Sequence, residues 1–152
     1  MPEPDRRQRA AFLDAVCCIQ FHSAGKTNLL LKILLALEWE IHVPFEVDAE
    51  VRRGQPRTAM AQWSRFTASD YVKVLDQLDT NPTDDEAAQR VRRLFAQVRG
   101  TDLALAVSTA KHRGEAAVIA YAREYQDSGA RWWFSLTMTL QRHKPRGSTS
   151  LR

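Results

Sequence analysis

The order of segments along the chain predicts an α/β domain with a mainly parallel sheet, because strand-like runs alternate with helical ones. Four runs have the length and the Val, Ile, Phe or Trp content of strands: residues 11–20, 40–43, 71–78 and 131–136. The first run is almost continuously apolar, which is typical of a strand buried on both faces. The chain has 152 residues, 44% of them hydrophobic, which is enough for one domain with its own core.

Composition limits the classes of protein to consider. No run reaches the roughly 18 uninterrupted apolar residues of a membrane span, and the N-terminus lacks the apolar core of a signal peptide. We therefore expect a cytoplasmic protein without membrane contact. The only cysteines, Cys17 and Cys18, would point to opposite faces of a strand, so we interpret them as core residues. A net charge of +4 is compatible with an anionic partner and equally with an ordinary solvated surface.

Asp14 interrupts the first apolar run. Burying an ionised carboxylate costs several kcal/mol unless a cation or a hydrogen-bond donor meets it. We therefore expect Asp14 near the carboxyl end of the first strand, where a ligand can reach it. The alternative is a structural acid held by hydrogen bonds, or a helix cap.

The next segments are a turn and a helix. The A-G-K-T sequence at residues 24–27 is similar to the end of a phosphate-binding loop, but Gln20 stands where that motif needs a glycine. We interpret it as a polar turn in which Thr27 or Asn28 caps the next helix. Residues 29–38 are apolar over most of the helix circumference, so this helix is either buried in the core or half exposed for a partner chain.

The remaining helices are marked by proline, glycine and capping residues. A helix is predicted over residues 44–54, with Pro44 as its first residue. It places Glu46 and Glu50 on one face. We assign no structure to residues 55–69. Further helices are predicted over residues 85–98, over residues 101–112, and from Gly114 to just before Gly129.

Three acids with their surrounding residues form the main functional signal. Asp14 ends the first predicted strand, Glu50 lies in V-P-F-E-V-D-A-E, and Glu115 lies in G-E-A-A-V-I-A-Y-A. These motifs resemble those of the PIN-domain family, most closely the toxin-like ribonucleases of bacterial toxin–antitoxin systems. The resemblance covers residues 11–137, which leaves residues 1–10 as a disordered basic arm and residues 138–152 as an atypical tail.

The resemblance implies a three-layer α/β/α sandwich with a mainly parallel sheet, and a ribonuclease that uses Mg²⁺ or Mn²⁺. Asp14, Glu50 and Glu115 would be both the catalytic residues and the metal ligands, which suits hard cations that prefer oxygen. Arg52, Arg53 and Arg57 would contact the RNA. The expected partners are RNA, a small antitoxin and a second copy of the chain.

The chain departs from the family after its last predicted strand, because no Asp or Glu follows Asp127. Loss of a metal ligand weakens metal binding and misplaces the nucleophile, so the fold can persist with impaired activity. One hypothesis is a shifted reading frame. When the codons for Met138 and Thr139 are read from the third base of the Met138 codon, they encode Asp.

Two other functions stay open. A non-catalytic PIN-like module would bind nucleic acid or a protein partner, and its basic residues would then matter more than its acids: Arg6, Arg7, Arg52, Arg53, Arg57, Arg92 and Arg93. Phosphate handling through A-G-K-T is a third reading.

Overall fold

A four-stranded parallel sheet is the centre of the fold in the computed structural model, which describes residues 9–128 and the backbone of residues 131–135. The strands are β1 (Arg9–Phe12), β2 (Trp39–Pro44), β3 (Val72–Leu75) and β4 (Arg131–Ser135), in the spatial order β3-β2-β1-β4. Every neighbouring pair is parallel. The predicted α/β class with a parallel sheet is therefore confirmed.

Seven helices lie in the described residues and connect the strands. They are α1 (Ala15–Ser23), α2 (Thr27–Ala36), α3 (Phe45–Gly54), α4 (Arg57–Thr67), α5 (Glu86–Arg99), α6 (Leu103–Ser108) and α7 (Arg113–Asp127). Helices α1, α2 and α4 pack on one another, whereas α5, α6 and α7 share a second apolar cluster. Two groups of helices around one sheet are compatible with an α/β sandwich.

The strand order creates a switch point beside β1. From β1 the chain passes through β2 to β3 at one edge of the sheet, and then returns to β4 on the other side of β1. Right-handed crossovers in these opposite directions place their helices on opposite faces of the sheet. In open α/β sheets, ligands bind at the carboxyl ends of the strands beside such a switch point, which here are β1 and β4.

The first element differs from the prediction. Residues 11–20 were expected to form one strand, but β1 ends at Phe12 and residues 15–23 form α1. Asp14 causes the change, because its side chain accepts a hydrogen bond from the backbone N–H of Cys17 and so caps the helix. The expected arm over residues 1–10 is also wrong for its last two residues, which begin β1; residues 1–8 lie outside the described part.

The two cysteines are consequently neighbours on a helix, and both are free and buried. Burial, with a smaller contribution from the Asp14 charge, raises the pKa of the Cys17 thiol to about 11. The pKa of the Cys18 thiol is also raised, mainly by burial. Both groups are neutral thiols at physiological pH.

The segment for which no structure was predicted contains α4. This helix places Trp63 in the core with no exposed surface, and the indole N–H donates to Oδ1 of Asp48 at 2.8 Å. The predicted cap of α2 is wrong, because Lys26 occupies the N-cap position and no side chain caps that helix. Thr27 is buried in its first turn.

The other predicted elements are confirmed within a few residues. Helix α3 starts directly after Pro44, Asp85 caps α5, and β3 is shorter than residues 71–78. Among the described residues, no helix has the length and apolar character needed to cross a bilayer. The tail predicted at residues 138–152 lies outside the described residues.

Candidate functional site

Asp14 lies at the carboxyl end of β1, beside the switch point of the sheet. Its backbone is extended, and Oδ1 accepts the N–H of Cys17 at 2.6 Å, so the carboxylate is held at the N-terminus of α1. The residue is only 5% exposed. The expected position near the strand end is confirmed, and so is the alternative role as a helix cap, because one carboxylate does both.

The pKa of Asp14 is raised above its ordinary value. Burial is the largest cause, the Cys17 hydrogen bond opposes it, and the charge of Glu115 raises it further. The charge of Glu115 is the smallest of the three contributions and acts by like-charge repulsion. A cation placed between them would relieve that repulsion.

Glu115 belongs to the first turn of α7 and its side chain is 55% exposed. Its Oε2 lies 3.6 Å from Nδ1 of His112, which has a left-handed backbone conformation just before the helix. An exposed Glu in this position can rotate at little cost.

Glu50 reaches the same region from α3. Its Oε2 lies only 2.8 Å from the position that a Cβ would take on Gly114, and Cγ2 of Val47 lies 3.3 Å from that position. Glycine is therefore what lets the Glu50 carboxylate lie directly against the start of α7. The Glu50 carboxylate and Glu115 therefore both lie at the start of α7.

The three acids do not form a finished metal site. Within the described part of the chain, no group of three His, Cys, Asp or Glu side chains is arranged to hold one ion. Asp14 and Glu115 interact through their charges, and Glu50 contacts Gly114.

Glu46 is a buried acid beside this region that we did not select from the sequence. Its Oε1 accepts the N–H of Leu78 at 2.8 Å and lies 3.6 Å from the guanidinium of Arg113. Burial raises the pKa of Glu46, while Leu78 and Arg113 oppose the rise. The i,i+4 spacing in the sequence predicts that Glu46 and Glu50 share a helix face. Only the fold shows that Glu46 is buried.

A small cavity of about 50 Å³ lies between α3 and the start of α7. Its charged lining residues are Glu46, Glu50, Arg53 and Arg113. Two acids and two arginines balance one another, so this space is not by itself a cation site.

The predicted RNA-binding arginines have different surroundings. Arg52 donates to both oxygens of Asp48 at 2.9 and 3.0 Å and to Oγ of Ser64 at 3.1 Å, so its guanidinium ties α3 to α4. Arg53 lines the small cavity, and Arg57 is exposed at the start of α4. Of the three, only Arg53 lies next to the acids.

The A-G-K-T segment connects two helices. Gly25 has a φ of +65° in the turn between α1 and α2. A phosphate-binding loop of this type follows a strand, so the context is wrong for that motif.

Comparisons of the chain with protein-family models, with curated proteins and with solved structures find no match.

Proposed function

We propose that the chain is a PIN-like, metal-dependent ribonuclease in which Asp14, Glu50 and Glu115 hold Mg²⁺ or Mn²⁺. The observation that carries the proposal is the position of Asp14. It is a buried acid at the carboxyl end of a central strand, at the switch point of a parallel sheet, with the charge of Glu115 beside it.

The residues fit a hard divalent cation by their chemistry. All three offer carboxylate oxygens, and Mg²⁺ needs only a few of these because water and substrate phosphate complete its coordination. From residues 9–128, the Asp14 carboxylate receives only the hydrogen bond from Cys17, which leaves Oδ2 for a ligand. Glu50 and Glu115 are both exposed and would turn toward Asp14 on binding.

The chain's own residues prepare this arrangement. The N-terminus of α1 fixes the rotamer of Asp14 and favours its ionised form. Gly114 admits the Glu50 carboxylate to the start of α7. When bound, the metal would polarise the scissile phosphate and lower the pKa of the attacking water.

The test is cleavage of a mixed-sequence RNA by the purified chain in Mn²⁺, with Asp14→Asn beside it. Asparagine caps a helix about as well as aspartate, so the variant should fold normally while losing cleavage. Asp85→Asn is a matched control, because Asp85 caps α5 in the same way on the exposed surface. Equal cleavage by wild type and Asp14→Asn, or cleavage that survives chelation, contradicts the proposal.

A non-catalytic PIN-like module is the second candidate. The absence of any acid after Asp127 in the sequence favours it, because the metal site would lack a ligand that the family has. Such a module would bind RNA or a protein partner equally well in Mn²⁺ and in chelator and would leave the RNA intact.

We also propose a protein interface on α2, with a second copy of the chain or a small antitoxin as the partner. One side of this helix is in the core through Leu30 and Leu34. The other side leaves Leu29, Ile33 and Leu37 exposed by 47%, 45% and 49%. A row of exposed aliphatic residues supports a contact surface.

A further inference from the structure

An open cleft of about 610 Å³ lies outside the candidate site, between the loop of residues 80–83 and the outer side of α5. Leu103 of α6 closes one end of it. The volume is within the range of about 300–1,000 Å³ that is typical of ligand sites.

The charge of the cleft selects an anion. Arg92 and Arg93 are the only ionisable residues in its lining. Arg92 pairs with Asp79 at 2.7 Å and donates to the carbonyl of Asn81. Its guanidinium is therefore engaged within the protein and lines the cleft. Arg93 is exposed, and no carboxylate of the described residues pairs with it. Its guanidinium is therefore available to a phosphate.

The rest of the lining fits a nucleobase. Pro82, Ala96 and Leu103 provide apolar surface, and the amide of Gln97 has no hydrogen-bond partner among the described residues. Apolar surface next to an amide and a guanidinium suits an unpaired base together with its phosphate.

The segment that leads into the cleft loop is fixed to α3 and α7. Leu78, two residues before that loop, donates its N–H to Glu46 of α3, and its carbonyl accepts from Arg113 of α7 at 3.1 Å. Arg113 directly precedes Gly114 and Glu115. The cleft loop is therefore anchored beside the turn of α7 that carries Glu115.

We propose that this cleft, defined by Arg93, Gln97 and Leu103, binds a single-stranded segment of the RNA. The proposal rests on the proposed function for its substrate class. It assigns binding to a surface that contains none of the three acids.

The test is binding of a fluorescein-labelled, mixed-sequence single-stranded RNA to the full chain in chelator, followed by anisotropy at several salt concentrations. Arg93→Gln should weaken binding several-fold and reduce the slope of log K against log salt by about 0.7, because one phosphate contact is lost. Gln97→Ala should weaken binding without changing that slope. Arg65→Gln removes an exposed charge from α4 and should change neither.

The outcomes separate this inference from the ribonuclease proposal. Binding without cleavage, sensitive to Arg93, supports the cleft while the enzyme fails. A second outcome is that Asp14→Asn abolishes cleavage while Arg93→Gln and Gln97→Ala leave RNA binding unchanged. This result overturns the proposed RNA-binding role of the cleft and supports the ribonuclease proposal. Failure of the wild type to bind RNA also overturns that role, as does an Arg93 effect on binding of poly-glutamate but not of RNA.

Discussion

Asp14 has a structural role as the cap of α1 and, in the proposed function, a chemical one. Oδ1 is committed to the N-terminus of α1, so the remaining oxygen has a fixed direction. From the sequence, the position of this acid at a strand end was predictable because a charge inside an apolar run needs a partner. The helix that it caps was not, because an apolar run fits a buried helix as well as a buried strand.

Gly114 controls the position of the Glu50 carboxylate. Gly114→Ala should push this carboxylate away from α7 and reduce Mn²⁺-dependent cleavage, since the new Cβ would lie 2.8 Å from Oε2. The fold should survive because the end of a Glu side chain can move. Gly54→Ala is the control. Gly54 belongs to α3, the helix that carries Glu50, and no atom lies within 4 Å of its Cβ position. Equal activity of the two variants in a Mn²⁺ titration would contradict this role of Gly114.

His42 should make the fold sensitive to acid. The ring is buried and stacked on Phe12 at 5.0 Å, and burial lowers its pKa even though Glu40 opposes this. The unfolded chain therefore takes up the proton first as pH falls below about 6.5, and stability is lost. Above that pH the effect is absent.

The measurement is the melting temperature between pH 8 and pH 5. His42→Phe keeps the stacked ring and should lose less stability on acidification than the wild type. The raised pKa values of Asp14 and Glu46 have the opposite sign and are common to both proteins. His112→Gln removes an exposed imidazole and should follow the wild type; if His42→Phe does so as well, the account is wrong.

Among the elements, α2 has two sides with different expected energetics. Its apolar sequence is compatible with burial in the core and with contact to a partner chain. In the structure, one side of the helix packs into the core. The pattern could not decide further, because a partner's surface and a core select the same aliphatic residues.

Substitutions on the two sides of α2 should separate these roles. Leu30→Ala should lower the free energy of unfolding by about 2–5 kcal/mol, because it empties space in the core. Ile33→Glu should leave the melting temperature of the monomer nearly unchanged and should shift a dimer to the monomer mass in sedimentation. A chain that is monomeric before the substitution would contradict the second-copy interface.

At the scale of the whole molecule, alternating segments were enough to predict a parallel α/β sheet, because each strand and helix depends mainly on local pattern. The position of Asp14 beside the switch point, and of Glu115 at the start of α7, depends on strand order and helix packing, which no local pattern specifies. The burial of Glu46 and the cleft beside α5 were unpredictable for the same reason.

The sequence has no Asp or Glu after Asp127, and the hypothesis of a shifted reading frame makes a prediction about the gene. If the frame is shifted, the nucleotides from Met138 onward, read from the third base of that codon, should encode an acidic turn followed by an apolar helix. Sequencing the gene checks this. An immediate stop codon in that frame would end the hypothesis.

The neutral thiols of α1 also give a way to time local opening of the fold. Iodoacetamide reacts with the thiolate, so Cys17 and Cys18 should resist it until α1 detaches from the sheet. The alkylation rate would then report how often the chain exposes the segment that carries Asp14. A ligand that joins Asp14 to α7 should slow this reaction, even in a molecule that cuts no RNA.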